Sequence, residues 1–174
     1  LYLMIGLPTE TFDDLDEFIS LVQHIREVMQ GIGRPRGRLS ELSISVNSFV
    51  PKPWTPFQYH PFGSSDPRPE EESMGGREAV QLLKAKIKYL RSGLGSLPNL
   101  RLKFDNADQA LFQAVLSRGD RRLAEVLLNM AVSGISWKQA LKQSGLGPEL
   151  FATRQYGQHS PLAWSIVDHG IEGD

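Results

Sequence analysis

The sequence contains no cysteine, and its four histidines are scattered, without the spacing of metal ligands. The chain therefore forms no disulfide and holds no thiolate-bound cluster by itself. It also lacks a large excess of charge of one sign, because nineteen basic and twenty acidic residues give a net charge of -1. Such a chain has no overall field that attracts nucleic acid or anionic lipid. Nucleic acid is thus unsupported as a partner, and the sequence predicts no metal site.

Long apolar runs are absent as well. The longest stretches, residues 1–7 and 19–22, fall far short of the roughly 20 residues needed to cross a bilayer. The first residues also lack an initiator Met, a basic leader and a cleavage site. We therefore expect a cytoplasmic chain without membrane contact, and we interpret its start as an interior strand exposed by truncation. An exposed strand edge can pair with a second copy, so an edge-strand homodimer is a further expectation.

The first fifty residues have the pattern of a strand, a helix and a strand. Residues 1–7 form a nearly continuous apolar run that ends at Pro8, which is typical of a central strand buried on both faces of a parallel sheet. Residues 12–30 repeat apolar side chains at helical spacing, and residues 39–50 alternate with a period of two. Parallel strands joined by a helix form a right-handed crossover, so this segment predicts an α/β sheet or barrel.

Capping and breaking residues set the expected limits of the first helix. Thr11 is an N-cap candidate, followed three residues later by Asp14. The segment Gly31 to Arg38 is expected to break the helix. Its three arginines either form a small anion-binding patch or keep a loop solvated.

The remainder of the chain predicts a long loop, a second crossover and a helical module. The loop covers residues 51–76 and is rich in Gly, Ser, Pro and acidic residues. We expect two domains, with βα units in 1–106 and a helical C-terminal module in 107–174. The individual predictions are a helix over 77–92, a strand over 100–104, and helices over 107–117, 120–132, 137–143 and 147–153.

The turn Ile5-Gly6-Leu7-Pro8-Thr9-Glu10-Thr11 lies where a strand leads into a helix, a place where α/β folds bind ligands. From spacing alone, Gly6 and Pro8 are better explained as parts of a tight turn, with Thr9 or Thr11 capping the helix. The segment is, however, similar to the I-x-G-x-P-G-E-T turn after the fifth barrel strand of many radical S-adenosylmethionine (SAM) enzymes. Thr9 stands where that family has its second glycine.

A second similarity follows the next strand. Residues 46–57, Val-Asn-Ser-Phe-Val-Pro-Lys-Pro-Trp-Thr-Pro-Phe, resemble the F-x-Y-S-x-R-P-G-T-P-A run of radical SAM methylthiotransferases. The resemblance is closer to an uncharacterised bacterial group that often carries an N-terminal cobalamin-binding-like domain. Residues 47–58 resemble the S-x-F-V-P-K-P-x-T-P-F-Q run of that group, with Asn47 in place of its serine. Residues 117–123 match its S-R-G-D-R-R-L run, and residues 164–170 are similar to its W-x-x-I-D-x-G run. The similarity thus extends over nearly the whole chain.

The resemblance implies cofactor contacts in the first turn. In radical SAM enzymes this turn packs against the adenine of SAM, which assigns Ile5, Gly6, Leu7 and Pro8 to cofactor binding and Glu10 to stabilising the turn. The diagnostic C-x-x-x-C-x-x-C motif would lie upstream. A [4Fe-4S] cluster and SAM are therefore implied for the parent protein, with cobalamin as a further candidate cofactor, and none of them is expected to bind tightly to this chain.

Residues of the second strand and of the following segment are the other site candidates. Ser43, Ser45 and Asn47 share one face of their strand, which is either the lumen of a barrel or the solvated face of an edge strand. Asn47, nearest the carboxyl end, is the best candidate for a cofactor contact, and Ser45 for the substrate wall. Lys52 and Trp54 are further substrate-wall candidates, since nearby prolines stiffen their segment. Trp54 is equally explained as a cap on the core.

The Ser117-Arg118-Gly119-Asp120-Arg121-Arg122 segment offers a cluster of arginines. Guanidinium groups pair well with phosphate oxygens, so an anionic substrate or RNA is one interpretation. The other is a solvated helix start, with Gly119 closing the preceding helix and Asp120 as the N-cap.

The resulting hypothesis is a fragment of a radical SAM enzyme that is not catalytic alone. The parent would cleave SAM reductively to a 5′-deoxyadenosyl radical that acts on an unknown substrate, and the upstream part of the polypeptide would be the partner of this chain. The implied fold is the C-terminal part of a partial (βα) barrel followed by a helical module. The alternative is a non-catalytic helical interaction module that binds RNA or a protein through Trp137, Trp164 and the arginines.

Overall fold

The structure is a computed structural model that describes residues 1–63, 69, 72–167 and 170. Within these residues it contains three β-strands and five α-helices, so the predicted α/β class is confirmed. The long loop of 51–76 is described only in part. In chain order the elements are β1 Tyr2–Ile5, α1 Phe12–Gly33, β2 Leu42–Ser48, α2 Gly76–Leu94, β3 Leu100–Phe104, α3 Ala107–Arg118, α4 Leu123–Ser133 and α5 Trp137–Gln143, with short 3₁₀ helices at Arg34–Arg36 and Pro148–Leu150.

The described residues divide into two compact units. The first comprises Leu1–Phe49, Gly63 and Val80–Ala107. The second comprises Val50–Phe62, residues 69 and 72–79, and residues 108–167 and 170. The predicted division into domains near residue 106 stays a prediction.

The first unit is built on a parallel sheet with the strand order β1-β2-β3. In this register Met4 pairs with Asn47, and Ser45 lies between Tyr2 and Lys103. Each strand is joined to its neighbour by one helix, as predicted for successive right-handed crossovers.

Both connecting helices cover the same face of this sheet. The rings of Phe12 on α1 and Tyr89 on α2 are 5.1 Å apart, so the two helices lie side by side. At Gly93 an added Cβ would approach Ile19 to 2.5 Å, so the glycine permits this close packing. The core between helices and sheet consists of the fully or almost fully buried side chains of Ile5, Leu15, Val22, Ile44, Val46, Leu83, Leu90 and Leu94.

The opposite face of the sheet is open. Tyr2 is 88% exposed and Met4 is also exposed, as are Asn47, Arg101 and Lys103. The prediction that the first strand is central and buried on both faces is therefore wrong for the described residues, where β1 lies at an edge. The physical reason is that residues 1–7 are apolar on both sides, while the described residues place covering helices on one side of the sheet only.

The first helix begins where predicted and ends later than predicted. The Asp14 carboxylate accepts hydrogen bonds from the backbone N–H of Thr11 at 2.7 Å and from its hydroxyl at 3.1 Å, which forms the expected cap. The helix does not break at Gly31 but continues to Gly33. There an added Cβ would lie 2.2 Å from the Arg38 carbonyl oxygen, so the returning chain requires a glycine.

The second unit packs α3, α4 and α5 with the segments around Phe62 and Phe151, both of which are fully or almost fully buried. Helix α4 begins at Leu123 and not at 120, because Asp120 forms a hydrogen-bonded turn with Leu123 before the helix starts. Of the predicted helix over 147–153, only the 3₁₀ turn Pro148–Leu150 forms. In the described part of the chain, no helix has the length and apolar character required to cross a membrane.

Candidate functional site at the carboxyl ends of the strands

The turn after β1 is organised around the carboxylate of Glu10. Its oxygens accept hydrogen bonds from the backbone N–H of Gly6 at 3.0 Å and of Leu7 at 3.5 Å. Gly6 has a φ of +81°, and an added Cβ would approach the Leu83 side chain to 2.7 Å. Thr9 also has a left-handed backbone, with a φ of +68°. The prediction that Glu10 stabilises this turn is thus confirmed.

Glu10 also forms a buried ion pair with Lys86 of α2. The Lys86 Nζ lies 2.5 Å from Glu10 Oε1, and the two side chains are 9% and 6% exposed. Lys86 in addition donates a hydrogen bond to the backbone oxygen of Glu10 at 3.4 Å. A buried charge pair needs such additional hydrogen bonds to compensate for lost hydration. The pair therefore ties the turn to the helix behind the sheet.

The four residues predicted to contact the cofactor differ in their accessibility. Ile5 is fully buried and Gly6 is buried, whereas Leu7 and Pro8 are half-buried. The N–H groups of Gly6 and Leu7 already donate to Glu10, so any ligand would meet mainly the side chains of Leu7 and Pro8. These two line a cleft of about 310 Å³ together with Leu3, Met4, Thr9, Glu10, Asp14 and Leu15.

Asn47 and Ser45 lie on the open face of the sheet, Asn47 near the carboxyl end of β2 and Ser45 in the middle of that strand, beside Tyr2. Asn47 is exposed and is the register partner of Met4, which also lines the cleft. The structure therefore brings Asn47 close to the predicted cofactor turn. The alternative that this face belongs to an edge strand is wrong in part, because β2 lies between β1 and β3. The face is nevertheless accessible to solvent in this chain.

Asp105 is a further polar residue at this end of the sheet, and the sequence interpretation missed it. Its carboxylate accepts hydrogen bonds from the backbone N–H of Ser48 at 2.7 Å and from the Ser48 hydroxyl at 3.0 Å. The available signal was its position directly after β3, where parallel strands present side chains to the same edge. Asp105 thereby fixes the end of β2, one residue beyond Asn47.

Lys52 and Trp54 belong to the second unit. The Lys52 ammonium donates a hydrogen bond to the Ser117 hydroxyl at 2.7 Å, and burial lowers the pKa of Lys52. Trp54 is exposed and has a left-handed backbone with a φ of +61°. The backbone N–H of Trp54 donates a hydrogen bond to the Gln58 side-chain oxygen at 3.2 Å. Their role as substrate-wall residues stays a prediction.

The indole rings required by the interaction-module alternative are not available as docking residues. Trp137 and Trp164 are each only 8% exposed. The ring of Trp137 stacks on Phe112 with centroids 5.1 Å apart, and the Trp164 indole donates a hydrogen bond to Gln58 at 2.8 Å. Both therefore belong to the core of the second unit. Two residues of the predicted W-x-x-I-D-x-G run, 168 and 169, lie outside the described residues.

The residues present do not fit an iron–sulfur cluster. The sequence has no cysteine, and the part of the chain that the structure describes contains no group of three His, Asp or Glu residues that could hold a metal ion. A cluster in this protein would thus need ligands from other residues than those described. The cleft beside Leu7 and Pro8, in contrast, is of a size and apolarity that fit part of a small organic cofactor.

Comparison with known proteins finds one uncharacterised relative. The chain is 30% identical over 127 residues to an uncharacterised protein of the archaeon Methanocaldococcus jannaschii. The alignment covers 73% of this chain and 22% of that protein, so the chain spans less than a quarter of the length of its relative. No family model matches the sequence, and no solved structure matches it significantly.

Proposed function

We propose that this chain is the C-terminal part of a radical SAM enzyme and contributes the last βα units of its partial barrel. SAM, when bound with a reduced cluster, supplies a 5′-deoxyadenosyl radical for hydrogen abstraction. The cluster would be held by cysteines upstream in the longer polypeptide. The contribution of this chain is to pack against the cofactor and to form part of the substrate wall.

The observation that carries the proposal is the backbone conformation at two positions of the family motifs. Thr9 and Trp54 stand where P-G-E-T and R-P-G-T-P-A have glycine, and their φ angles are +68° and +61°. Only one other described non-glycine residue, Asn99, has a positive φ. A β-branched or bulky residue rarely adopts this conformation, which glycine adopts at no steric cost. These two backbone conformations support the proposal, because they are conformations to which glycine is best suited.

The one-sided sheet supports the same proposal. In a barrel, helices cover the outside of each strand, and the inner face of the strands lines the lumen. The sheet of the first unit has helices on one face only, and its open face exposes Met4, Asn47 and Lys103. Additional strands from a longer chain, continuing the sheet beyond β1, would enclose this face. The relative's greater length is consistent with such additional strands.

Within this proposal the accessible residues of the turn have defined roles. Leu7 and Pro8 would offer an apolar surface to the adenine ring, while Glu10 and Lys86 hold the turn from behind. The Asn47 carboxamide can both donate and accept hydrogen bonds, which suits a polar group of the cofactor. Ser45, further along the same face, would contact the substrate or its surroundings.

The first test is the sequence upstream of this chain in its gene. We expect a C-x-x-x-C-x-x-C motif roughly 150 residues before Leu1, a distance set by ordinary domain size. The full-length protein, reconstituted anaerobically with iron, sulfide and a reductant, should then form 5′-deoxyadenosine from SAM. The absence of the motif from the gene would refute the proposal.

A pair of variants tests the role of Asn47 in the full-length protein. Asn47→Ala should raise the KM for SAM about tenfold or more, corresponding to the loss of one good hydrogen bond. Ser43→Ala is the matched control, because Ser43 lies on the same exposed face at the other end of β2. Equal KM values for the two variants would remove Asn47 from the cofactor site. Formation of 5′-deoxyadenosine by the isolated 174-residue chain would refute its inertness.

A further inference from the structure

The second unit contains a cleft of about 590 Å³ that is rich in arginine. We call it the arginine cleft. Its polar and aromatic lining residues include Arg118, Asp120, Arg121, Arg122, Arg154 and Tyr156. Four arginines and one aspartate are therefore among the residues that line this cleft. Neither the predicted cofactor turn nor the candidate residues of the strands belong to this cleft.

Arg118 forms the buried part of the arginine cleft. It is 1% exposed, and its guanidinium donates hydrogen bonds to the carbonyl oxygens of His60 and Ala152 at 2.8 Å and of Arg154 at 2.9 Å. Its Nε has no hydrogen-bond partner, and among the described residues no carboxylate contacts it. The guanidinium also lies over the Tyr156 ring, 4.5 Å from its centroid. A buried charge held only by carbonyl dipoles and a ring is not neutralised.

The other guanidinium groups add positive charge at the mouth of the cleft. Arg122 is paired with Asp120 at 2.8 Å, whereas Arg121 is exposed. Arg154 lies over the same Tyr156 ring as Arg118, at 5.4 Å. Burial, and to a smaller extent the charge of Arg154, lower the pKa of Arg118 to about 10, so it is still charged at neutral pH. An anion in the cleft would reduce the electrostatic repulsion between the guanidinium groups of Arg118 and Arg154.

The shape and chemistry of the cleft indicate the class of anion. Guanidinium groups bind phosphate oxygens in pairs, and a phosphate monoester carries nearly two charges at neutral pH, more than a carboxylate. The remaining wall is apolar, with Leu150, Phe151, Leu162 and Ile166. The volume is that of a small-molecule site. We propose that the arginine cleft binds a small organic phosphate, with the phosphate at the arginines and an apolar or aromatic body against this wall.

This assignment is independent of the radical chemistry, because it concerns other residues and needs neither SAM nor a cluster. It also differs from RNA binding. RNA-binding surfaces follow a chain of singly charged phosphodiesters along an extended groove, whereas this positive charge converges on one concave site. The exposed Arg121 can be changed without disturbing the hydrogen bonds of Arg118.

The experiment is calorimetric titration of the purified 174-residue chain with phenyl phosphate, inorganic phosphate and benzyl alcohol. We expect saturable binding of phenyl phosphate, weaker binding of inorganic phosphate and none of benzyl alcohol. Arg121→Gln should weaken phenyl phosphate binding about tenfold, the loss of one charge-assisted hydrogen bond. Arg36→Gln, at an exposed arginine outside the cleft, should bind like the unchanged protein.

Three results would overturn the proposal. One is the absence of phenyl phosphate binding at millimolar concentration. Another is equal affinity of Arg121→Gln and Arg36→Gln, which would place the ligand elsewhere. The third is tight binding of a single-stranded RNA oligonucleotide without competition by phenyl phosphate, which would identify the arginines as a nucleic-acid surface. Circular dichroism of both variants verifies that they are folded.

Discussion

Thr9 carries backbone strain that a single substitution should relieve. A β-branched residue at a φ of +68° is destabilised relative to glycine, because its Cβ crowds the backbone. We predict that Thr9→Gly raises the free energy of unfolding by about 1 kcal/mol, the strain relieved minus the added freedom of the unfolded chain. Denaturant unfolding measures this change.

Asn99 provides the control for this prediction. It also has a positive φ, of 58°, but asparagine tolerates the left-handed conformation much better than threonine. Asn99→Gly should therefore change stability by only a few tenths of a kcal/mol. An equal gain at both positions would show that the effect does not arise from the threonine side chain.

The buried Glu10–Lys86 pair should contribute more to stability than an exposed pair of the same type. Glu10→Gln removes the carboxylate that pairs with the buried Lys86 ammonium, which costs about 3 kcal/mol. Glu41→Gln is the matched control, because Glu41 pairs with Arg101 on the surface, where side chains are 51% and 71% exposed. Its cost should stay below about 1 kcal/mol. Urea unfolding of the two variants compares them, and equal costs would contradict a structural role for the buried pair.

At the scale of elements, the start of α1 should depend on pH through Asp14. Hydrogen bonds from the Thr11 backbone, and then from its side chain, lower the pKa of Asp14 below its ordinary value of 3.8. A carboxyl group with a lowered folded-state pKa stabilises the protein above the unfolded value and loses this contribution as the pH falls through the folded value. As the pH is lowered from 5 to 2, the free energy of unfolding should thus fall more steeply for the unchanged protein than for Asp14→Asn.

Thr11→Val refines this prediction. It removes the hydroxyl donor and keeps the backbone donor, so the pH dependence should lie between those of the unchanged protein and Asp14→Asn. If Asp14→Asn has the same pH dependence as the unchanged protein, the cap does not contribute to the stability of α1.

Asp105 joins the carboxyl ends of two neighbouring strands. Asp105→Ala leaves the buried N–H of Ser48 without its partner and should cost about 2 kcal/mol. Amide hydrogen exchange checks the local effect, since the Ser48 amide should lose protection before amides in the middle of β2. Asp120→Ala, which removes the exposed pair with Arg122, should leave the exchange protection of the Ser48 amide unchanged.

At the scale of the whole molecule, the open face of the sheet is a surface for association. Tyr2 and Met4 are exposed on a strand whose apolar run is suited to burial on both faces. We predict that the chain self-associates through this face and that Met4→Lys lowers its apparent mass in sedimentation velocity. Val132→Lys, at an exposed apolar residue of α4, is the control. Equal masses for both variants would show that association does not use the sheet.

Several features of the fold followed directly from the sequence. The period of two over Leu42 to Ser48 and the helical period after Phe12 report which faces are buried, and both elements form as predicted. Strand β3 also forms over the predicted residues. The end of α1 and the start of α4 were predicted wrongly, because they depend on the close approach of Arg38 to Gly33 and on the turn made by Asp120.

The candidate site was predictable only where it is local in sequence. Glu10 stabilises Gly6 and Leu7 from three to four residues away, and the turn motif indicated this role. The contacts of Lys86 with Glu10 and of Asp105 with Ser48 were missed. Their partners are separated by 76 and 57 positions along the chain, respectively. No periodicity or composition signals such a contact.

The sequence by itself determined the α/β class, the parallel βαβ path and the absence of cysteine ligands, because each depends on composition or on local spacing. The tertiary structure alone decided that one face of the sheet is open, that Trp137 and Trp164 are buried, and that Arg118 and Arg154 both lie over the Tyr156 ring in a cleft. Burial and charge proximity are properties of residues distant along the chain, and they arise only when packing brings those residues together.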